Sequence, residues 1–296
     1  MDGGDGKYLL NKLVEGYNMI LETGSIQELL IKNGSRAPEQ VYENKTLKDI
    51  KGMFKLPITP GGSAYPFPTE EPGTRRVTTT VIPESTMTAA RKKAKAMNAS
   101  ANDLLLAATY QVCAAFPGAE PGAPISISSM MDLRRHCTDG ESDGLCNMSG
   151  GLPTALTEGV PAEFTETLTL IARQTNAAKD DPVAGMGFLP VLHTIARGIP
   201  VWMQMLVAEK AYGSMPVGLT NLGNLKSSEL ALGGATPNEA IFGGPLKKKN
   251  GFQISIISLD GTCTLACYGQ YTAEDQAHIQ HTLDSMAAVI TAYAAE

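Results

Sequence analysis

The sequence opens with Met1-Asp2-Gly3-Gly4-Asp5-Gly6, a glycine-rich turn that runs directly into Lys7-Tyr8-Leu9-Leu10-Asn11-Lys12-Leu13-Val14-Glu15-Gly16-Tyr17-Asn18-Met19-Ile20. The second stretch carries apolar side chains at the spacing of one helical face, which predicts an amphipathic helix. They are Leu9, Leu13, Tyr17 and Ile20. Asp5 stands just before this stretch, and its carboxylate can accept hydrogen bonds from the free N–H groups of a first helical turn. We therefore predict that Asp5 caps the helix.

The bulk composition indicates a folded protein of one large domain or two medium ones. The chain has 296 residues, of which 43% are hydrophobic and 18% charged, so it can bury a sizeable core. Its 24 basic and 30 acidic residues give a net charge of -6, which disfavours a nucleic-acid partner. The sequence has no apolar run long enough for a membrane span and no recognisable signal peptide. The five cysteines form an odd number without framework spacing, which favours a reducing, cytoplasmic location.

Prolines and glycines mark the clearest boundary in the chain. Five prolines and three glycines fall between residues 56 and 73, a density that a helix or a central strand does not tolerate. We interpret residues 56–74 as a linker. It divides the chain into a first part, residues 1–55, and a second part, residues 75–296.

Helix and strand patterns are mixed along the chain. The segment from Ser25 to Gly34 begins with a capping-box pattern, which predicts a short second helix. Further helices are expected at Glu84–Met97, Leu104–Phe116, Phe164–Ala178 and after Thr272, and strands at Arg75–Ile82, Ile125–Met131, Met215–Leu225, Ala240–Phe242, Gly251–Leu259 and Thr262–Gln270. Asp260-Gly261 predicts a tight hairpin between the last two strands. This mixture predicts an α/β or α+β fold with a mixed sheet.

The sequence lacks several common catalytic motifs. It contains no Gly-x-Ser-x-Gly nucleophile elbow, no P-loop lysine and no dinucleotide-binding glycine motif, so hydride and phosphoryl transfer have no support. His278 and His281 have a spacing that could suit a metal, but both lie off the apolar stripe of the last helix. We therefore predict that these two are exposed. We further predict that His193 is a core or channel residue and that His136 lies in a loop.

Arg134 is a charged side chain that needs a partner. It lies three residues past the apolar run Ile125–Met131, and removing one partner of a buried ion pair costs about 3–5 kcal/mol. Asp132 can serve the guanidinium locally. A carboxylate from the other part of the chain is the alternative.

Four short motifs follow one another along the chain. Ser100–Ala108 is similar to the pattern Thr-x-Asn-Asp-x-Leu-Leu-Ala-Ala, and Ile127–Arg135 to a strand that ends in (Asp/Asn)-Leu-Arg. Leu145–Asn147 resembles a Gly-Asn or Cys-Asn element, and Thr220–Gly223 a (Ser/Thr)-Asn-x-Gly element. In this order they resemble the condensation-domain and chloramphenicol-acetyltransferase-like acyltransferases, and within these the stand-alone alcohol-acetyltransferase-like proteins. The resemblance covers essentially the whole chain.

The resemblance implies a two-lobe fold with a substrate channel between the lobes, of which this chain contains mainly the C-terminal lobe. It also implies acyl transfer from acyl-CoA or a carrier-bound acyl thioester to an alcohol or amine, with no bound cofactor. The motif of the family is His-His-x-x-x-Asp-Gly, whose second histidine acts as the general base. Met1-Asp2-Gly3 matches its last three positions, so this histidine would precede Met1. We therefore expect a remnant of the N-terminal lobe at residues 1–55 and no activity from this chain alone.

The resemblance also assigns residues to the site. It implies an ion pair between Asp2 and Arg134, with Gly3 and Asp132 as further structural positions. Three more residues would line the substrate channel, where amide and hydroxyl groups can orient a substrate or stabilise an oxyanion. These are Asn147, Thr220 and Asn221. The alternative for all three is an ordinary role in turns at the ends of strands.

Two functional hypotheses follow. The first is an acyltransferase-family polypeptide that uses a small-molecule acyl donor and acceptor, with a carrier protein or a separate N-terminal half as candidate partners. The alternative is a non-catalytic module that binds a thioester or a carrier protein. An unrelated α/β enzyme would need a catalytic constellation that we do not find in the sequence. The first hypothesis also implies that the helix at Leu9–Ile20 and the segment to Phe54 lose their packing partners. It therefore predicts an exposed apolar patch, self-association, or poor order before residue 56.

Overall fold

A six-stranded mixed sheet forms the centre of the computed structural model. Its strands, in the order in which they lie side by side, are β1 (Thr74–Ile82), β6 (Thr262–Tyr271), β5 (Phe252–Leu259), β4 (Val217–Leu225), β2 (Ile125–Asp132) and β3 (Ser149–Leu156). β4 runs parallel to both of its neighbours, β2 and β5, and the other pairs are antiparallel. The mixed sheet that the sequence predicts is confirmed.

The structure describes residues 1–296 apart from 27, 47, 50–66, 68, 70, 72, 117, 118, 188, 190–192, 194–197, 207–216, 245 and 247–250. Most of the predicted linker therefore lies outside the described residues. The division of the chain at residues 56–74 stays a prediction.

Five α-helices of more than ten residues lie within the described ranges. They are α1 (Gly3–Thr23), α2 (Glu84–Ala96), α3 (Ala101–Ala114), α4 (Phe164–Lys179) and α5 (Ala273–Ala295). Short 3₁₀ helices lie at Pro38–Val41, Leu133–His136, Thr138–Gly140 and Ser227–Leu230. Residues 201–206 are also helical. No helix in the described part of the chain has both the length and the apolar character that crossing a membrane requires.

Helices α2 to α5 cover one face of the sheet and bury a single large apolar cluster with it. The stripe predicted for the last helix is confirmed, because each of its four residues is fully buried: Ile279, Leu283, Met286 and Ile290. Thr272 caps this helix as predicted, and the capping box of Ser100 and Asp103 at the start of α3 is also present. Asp260 and Gly261 form the predicted hairpin turn with φ values of 48° and 89°.

Helix α1 lies on the opposite face of the sheet. Successive residues of a strand point to opposite faces, and Ile256 of β5 belongs to the large cluster whereas Ile257 packs with Val14 of α1. The helix is capped by Asp2, whose Oδ1 accepts a hydrogen bond from the N–H of Asp5 at 3.0 Å. The prediction that Asp5 caps the helix is wrong, because Asp5 already lies inside the first turn.

Most of the apolar stripe of α1 is uncovered. Leu13 is 62% exposed, Tyr17 43% and Ile20 45%, whereas Val14 is buried. The predicted exposed apolar patch is confirmed. Self-association through it stays a prediction.

Two predicted elements are absent. The described residues of the segment 25–34 contain no helix, since this stretch pairs its backbone with its neighbours instead: the Tyr8 hydroxyl bonds to the carbonyl of Leu30 and the N–H of Lys32. Residues 240–242 form no strand. Both edges of β5 are already occupied by β4 and β6, and Phe242 instead packs its ring against the cluster around Val14.

Candidate functional site

Arg134 is the centre of a buried polar cluster where β2 ends. Asp132 closes the strand and caps the short helix that follows, because its Oδ1 accepts a hydrogen bond from the N–H of Arg134 at 3.0 Å. This cap turns the chain sharply, and the Arg134 side chain is left only 12% exposed. A buried guanidinium requires acceptors for its five N–H groups.

The guanidinium group has an acceptor in each direction. Its Nη1 donates to Asp2 Oδ2 at 2.9 Å and to Asp132 Oδ1 at 3.2 Å. Its Nη2 donates to Asp5 Oδ1 at 2.8 Å and to the carbonyl of Cys146 at 3.2 Å, and its Nε to the hydroxyl of Ser142 at 3.0 Å. We call Arg134 and these five partners the Arg134 cluster. It ties the start of α1 to the end of β2 and to the loop before β3.

Asp2 has the largest number of roles in the Arg134 cluster. Besides capping α1 and pairing with Arg134, it accepts the N–H of Met148 at 2.7 Å with Oδ2. Burial by itself would raise the pKa of the Asp2 carboxyl, but the bond from Arg134 and the two backbone N–H groups hold this pKa below its usual 3.8. Burial would likewise lower the pKa of Arg134, but Asp2 and the neighbouring carboxylates raise it above its usual value.

The ion pair between Asp2 and Arg134 is therefore present in the structure as the resemblance implies. Asp5 is the partner that sequence reasoning missed. Its spacing of three residues from Asp2 puts both carboxylates on the first turn of one helix, and this signal could have identified it. The sequence has no comparable signal for Ser142 or for the Cys146 carbonyl, which depend on the path of a loop.

Gly3 brings the start of α1 against the turn in β4. A side chain at Gly3 would come within 2.8 Å of Leu222, so only glycine fits here without a shift. β2 and β4 are parallel neighbours, with Ser128 beside Gly218 and Ser129 beside Leu219. The Arg134 cluster, which includes Asp2 at the start of α1, therefore lies close to Leu222 of β4.

Of the three predicted channel residues, Asn147 lies just before β3, and Thr220 and Asn221 lie in the middle of β4. Asn147 is exposed, and its Oδ1 accepts the N–H of Ser149, the residue that pairs with Asp132. Asn221 is half-buried, and its Oδ1 accepts the N–H of Gly223 at 2.9 Å, within an irregularity of β4. The side chains of both asparagines thus stabilise turns, which is the alternative role that the sequence left open. Thr220 is half-buried in β4. The channel role of all three residues stays a prediction.

The histidines lie elsewhere. His136 is buried in a 3₁₀ helix with its Nε2 2.8 Å from the Ala184 carbonyl, so its assignment to a loop is wrong. His193 is half-buried, with Nδ1 2.8 Å from the Tyr42 hydroxyl. His281 is exposed as predicted, but His278 is half-buried beside Phe116, and burial lowers its pKa.

The cysteines behave as apolar residues, as their spacing suggested. All five are buried and none forms a disulfide. Burial raises the pKa of Cys113 and of Cys267 to about 12, which keeps both thiols protonated and unreactive. No group of three or more candidate metal ligands occurs in the part of the chain that the structure describes.

Comparisons with known proteins identify the fold. No protein-family model and no curated protein sequence matches the chain. Among solved structures, the epimerization domain from the third module of tyrocidine synthetase B matches with a TM-score of 0.65 and 13% identity, over 100% of this chain and 67% of that one. The condensation domain from Monacolin K polyketide synthase MokA matches with a TM-score of 0.65 and 15% identity, over 99% and 67%.

The chain has a condensation-domain fold. A PapA2 acyl transferase matches more distantly, with a TM-score of 0.54 and 10% identity over 85% of this chain and 52% of that one. The condensation-domain and chloramphenicol-acetyltransferase-like fold expected from the sequence is thereby confirmed. At these identities the likeness establishes the fold alone, and the closer likeness to alcohol acetyltransferases stays a prediction.

Proposed function

We propose that the chain binds an acyl thioester at the carboxyl ends of β2 and β4 and takes part in the transfer of its acyl group to an alcohol or amine. The observation that carries this proposal is the meeting of three distant segments at one place. The Asp2–Arg134 pair joins the start of α1 to the end of β2, and Gly3 contacts Leu222 of β4. Ligands of open sheets with parallel strands commonly bind at the carboxyl ends of those strands.

The chemistry of the site suits a thioester carbonyl. In acyl transfer the acceptor oxygen or nitrogen bonds to the acyl carbon, the carbon–sulfur bond breaks, and the acceptor proton passes through a base to the leaving thiolate. The Thr220 hydroxyl is a donor that can stabilise the oxyanion of this step. The donor we propose is acyl-CoA or an acyl group on a carrier protein, which would then be a partner.

The general base comes from outside this chain in our proposal. His136 and His193 are engaged with Ala184 and Tyr42, and His278 and His281 lie on α5, across the sheet from α1. An N-terminal lobe, on this or on another polypeptide, is the source we propose. The chain alone should therefore bind a thioester without turning it over.

Calorimetry with thioether analogues of acetyl-CoA and octanoyl-CoA tests the binding step. We expect saturable binding by the purified chain, weakened roughly tenfold in Thr220→Val. The control is Thr169→Val, which makes the same change at an exposed site on α4 and should bind as the wild type does. Absence of binding to both analogues and to an acylated carrier protein would contradict the proposal.

Thiol release from acetyl-CoA or octanoyl-CoA tests the chemical step. We expect none with the chain and an alcohol or amine alone, and release when millimolar imidazole is added as an external base. Release without imidazole would show that the chain has its own base.

The second candidate is a non-catalytic module that binds a thioester or carrier protein. The positions of the four histidines favour it. It predicts the same binding isotherm, but no effect of imidazole on thiol release beyond the rate in solution.

A further inference from the structure

Three helices of the fold have a buried aspartate at the same position, the third residue of the first turn. These are Asp5 in α1, Asp103 in α3 and Asp275 in α5, which are 3%, 1% and 0% exposed. In α3 and α5 the carboxylate accepts the N–H of the capping residue and completes a capping box. In α1 it is used differently, since Asp5 pairs with Arg134 at 2.8 Å.

The cap of α1 does not account for Asp5. Asp2 alone provides the cap through its Oδ1. Asp5 also destabilises the fold in one respect. Its side chain is 5% exposed, and its Oδ2 is buried without a hydrogen-bond partner in the described structure. A buried carboxylate oxygen without a donor is unfavourable. The cap of the helix therefore does not explain why a buried carboxylate occupies this position.

The geometry of Arg134 does explain it. Asp2 Oδ2 accepts hydrogen bonds from both Nη1 and the N–H of Met148, so Asp2 bonds to only one of the two Nη groups. Asp5 Oδ1 accepts a hydrogen bond from the other group, Nη2. Two carboxylates on one helical turn, each bonded to a different Nη, fix the plane of the guanidinium relative to α1. Without Asp5, α1 would hold the guanidinium through Nη1 alone, and Nη2 would keep only the Cys146 carbonyl as an acceptor.

We propose that Asp5 is a positioning residue for the thioester site. By fixing Arg134 relative to α1, it holds the first turn of the helix, and Gly3 in particular, against Leu222 beside Thr220 and Asn221. The link from Asp5 to ligand affinity rests on the proposed function. The predicted effect of Asp5 on the Arg134 side chain does not depend on the proposed function.

Binding of the thioether analogues tests this link in three variants. Asp5→Ala removes the hydrogen bond from Nη2 while keeping a good helix former, and should weaken binding of the analogues by roughly tenfold. Asp5→Asn retains an acceptor oxygen for Nη2 and should restore most of the affinity. Asp103→Ala, the matched control at the same helical position in α3, should lower stability and leave affinity unchanged. Wild-type affinity in Asp5→Ala, or equally weak binding in Asp5→Asn, would overturn the link.

Nitrogen-15 spectra of the Arg134 guanidinium separate a failure of positioning from a failure of the proposed function. Arg134→Lys assigns the signals. We expect hindered rotation of the Nη2 group in the wild type and in Asp5→Asn, and faster rotation of this group in Asp5→Ala, where the Cys146 carbonyl is its remaining acceptor. Equal rotation rates of Nη2 in the wild type and in Asp5→Ala overturn the positioning role whether or not a thioester binds. If no analogue binds to the wild type, the proposed function fails and these spectra alone decide the role of Asp5.

Discussion

Helices α1 and α5 carry the same kind of sequence pattern but have different environments. They are 21 and 23 residues long, and each has an apolar stripe. α5 buries its stripe completely, with Leu283 at 0% exposure, whereas Leu13 at the centre of the α1 stripe is 62% exposed. The pattern identifies a helix and its apolar side, but it does not say what covers that side.

The two helices are consequently held by different forces. α5 is held by apolar burial against the sheet and by its capping box. α1 has Val14 in a small cluster, two hydrogen bonds between Asn18 and the 231–233 turn, and the two ion pairs to Arg134. Loss of charge should therefore damage α1, and loss of apolar volume should damage α5.

The largest expected effect comes from Arg134→Met, which keeps an unbranched stem in place of the arginine side chain and removes its charge. It leaves Asp2 and Asp5 buried without a cation, a situation that costs about 3–5 kcal/mol. Urea unfolding should show this loss in the free energy of unfolding, and limited proteolysis should show early cleavage within α1. A loss below about 1 kcal/mol would contradict the view that ion pairs hold this helix.

Leu283→Ala tests the contribution of apolar burial to the attachment of α5. Leu283 is fully buried, so the substitution opens a cavity and should lower the free energy of unfolding by about 2–5 kcal/mol. The matched control is Leu13→Ala on α1, which should change it by less than about 0.5 kcal/mol. Equal losses for the two variants would mean that the stripe of α1 is covered in solution.

Acid should weaken the attachment of α1 through Asp2. The pKa of Asp2 in the folded chain lies below its usual 3.8, so the stability it contributes is present above that value and is lost as the pH falls through the folded pKa. We expect Asp2→Asn to be less stable than the wild type at pH 7, with a difference that shrinks below about pH 4. Urea unfolding midpoints of the wild type and of Asp2→Asn between pH 7 and 2.5 measure this difference in stability. A difference that stays constant over this range would rule out the linkage.

The smallest effect on stability, but a clear one on assembly, is expected from Leu13→Glu. The exposed stripe of α1 should promote self-association, and a charge at its centre should prevent it. Sedimentation velocity over a range of concentrations compares this variant with the wild type. A wild type that stays monomeric at high concentration would exclude this role for the stripe.

Features with local physical causes were predictable from the sequence. Ser100 and Asp103 form their capping box within four residues, and Asp260-Gly261 forms its turn within two. Five of the six strands of the sheet and the buried stripe of α5 follow from sequence patterns that report burial directly.

Features that depend on a distant partner were not predictable in the same way. Asp5 has the composition of a local cap, and only the fold brings Arg134 to it from 129 positions away. The segment after α1 has a helical start signal, but Tyr8 pairs with its backbone in an extended form. The Asp2–Arg134 pair was anticipated only because the motifs of a family link the two residues.

Hydrogen exchange measured by mass spectrometry, with and without the thioether analogue of octanoyl-CoA, tests the central claim most directly. The claim is that the start of α1 and the turn in β4 form one ligand site held together by the Arg134 cluster. We predict that the analogue slows exchange in the first turn of α1 and in Val217–Leu225, and leaves α5 unchanged. Unchanged exchange in both of these segments under saturating analogue would contradict the claim.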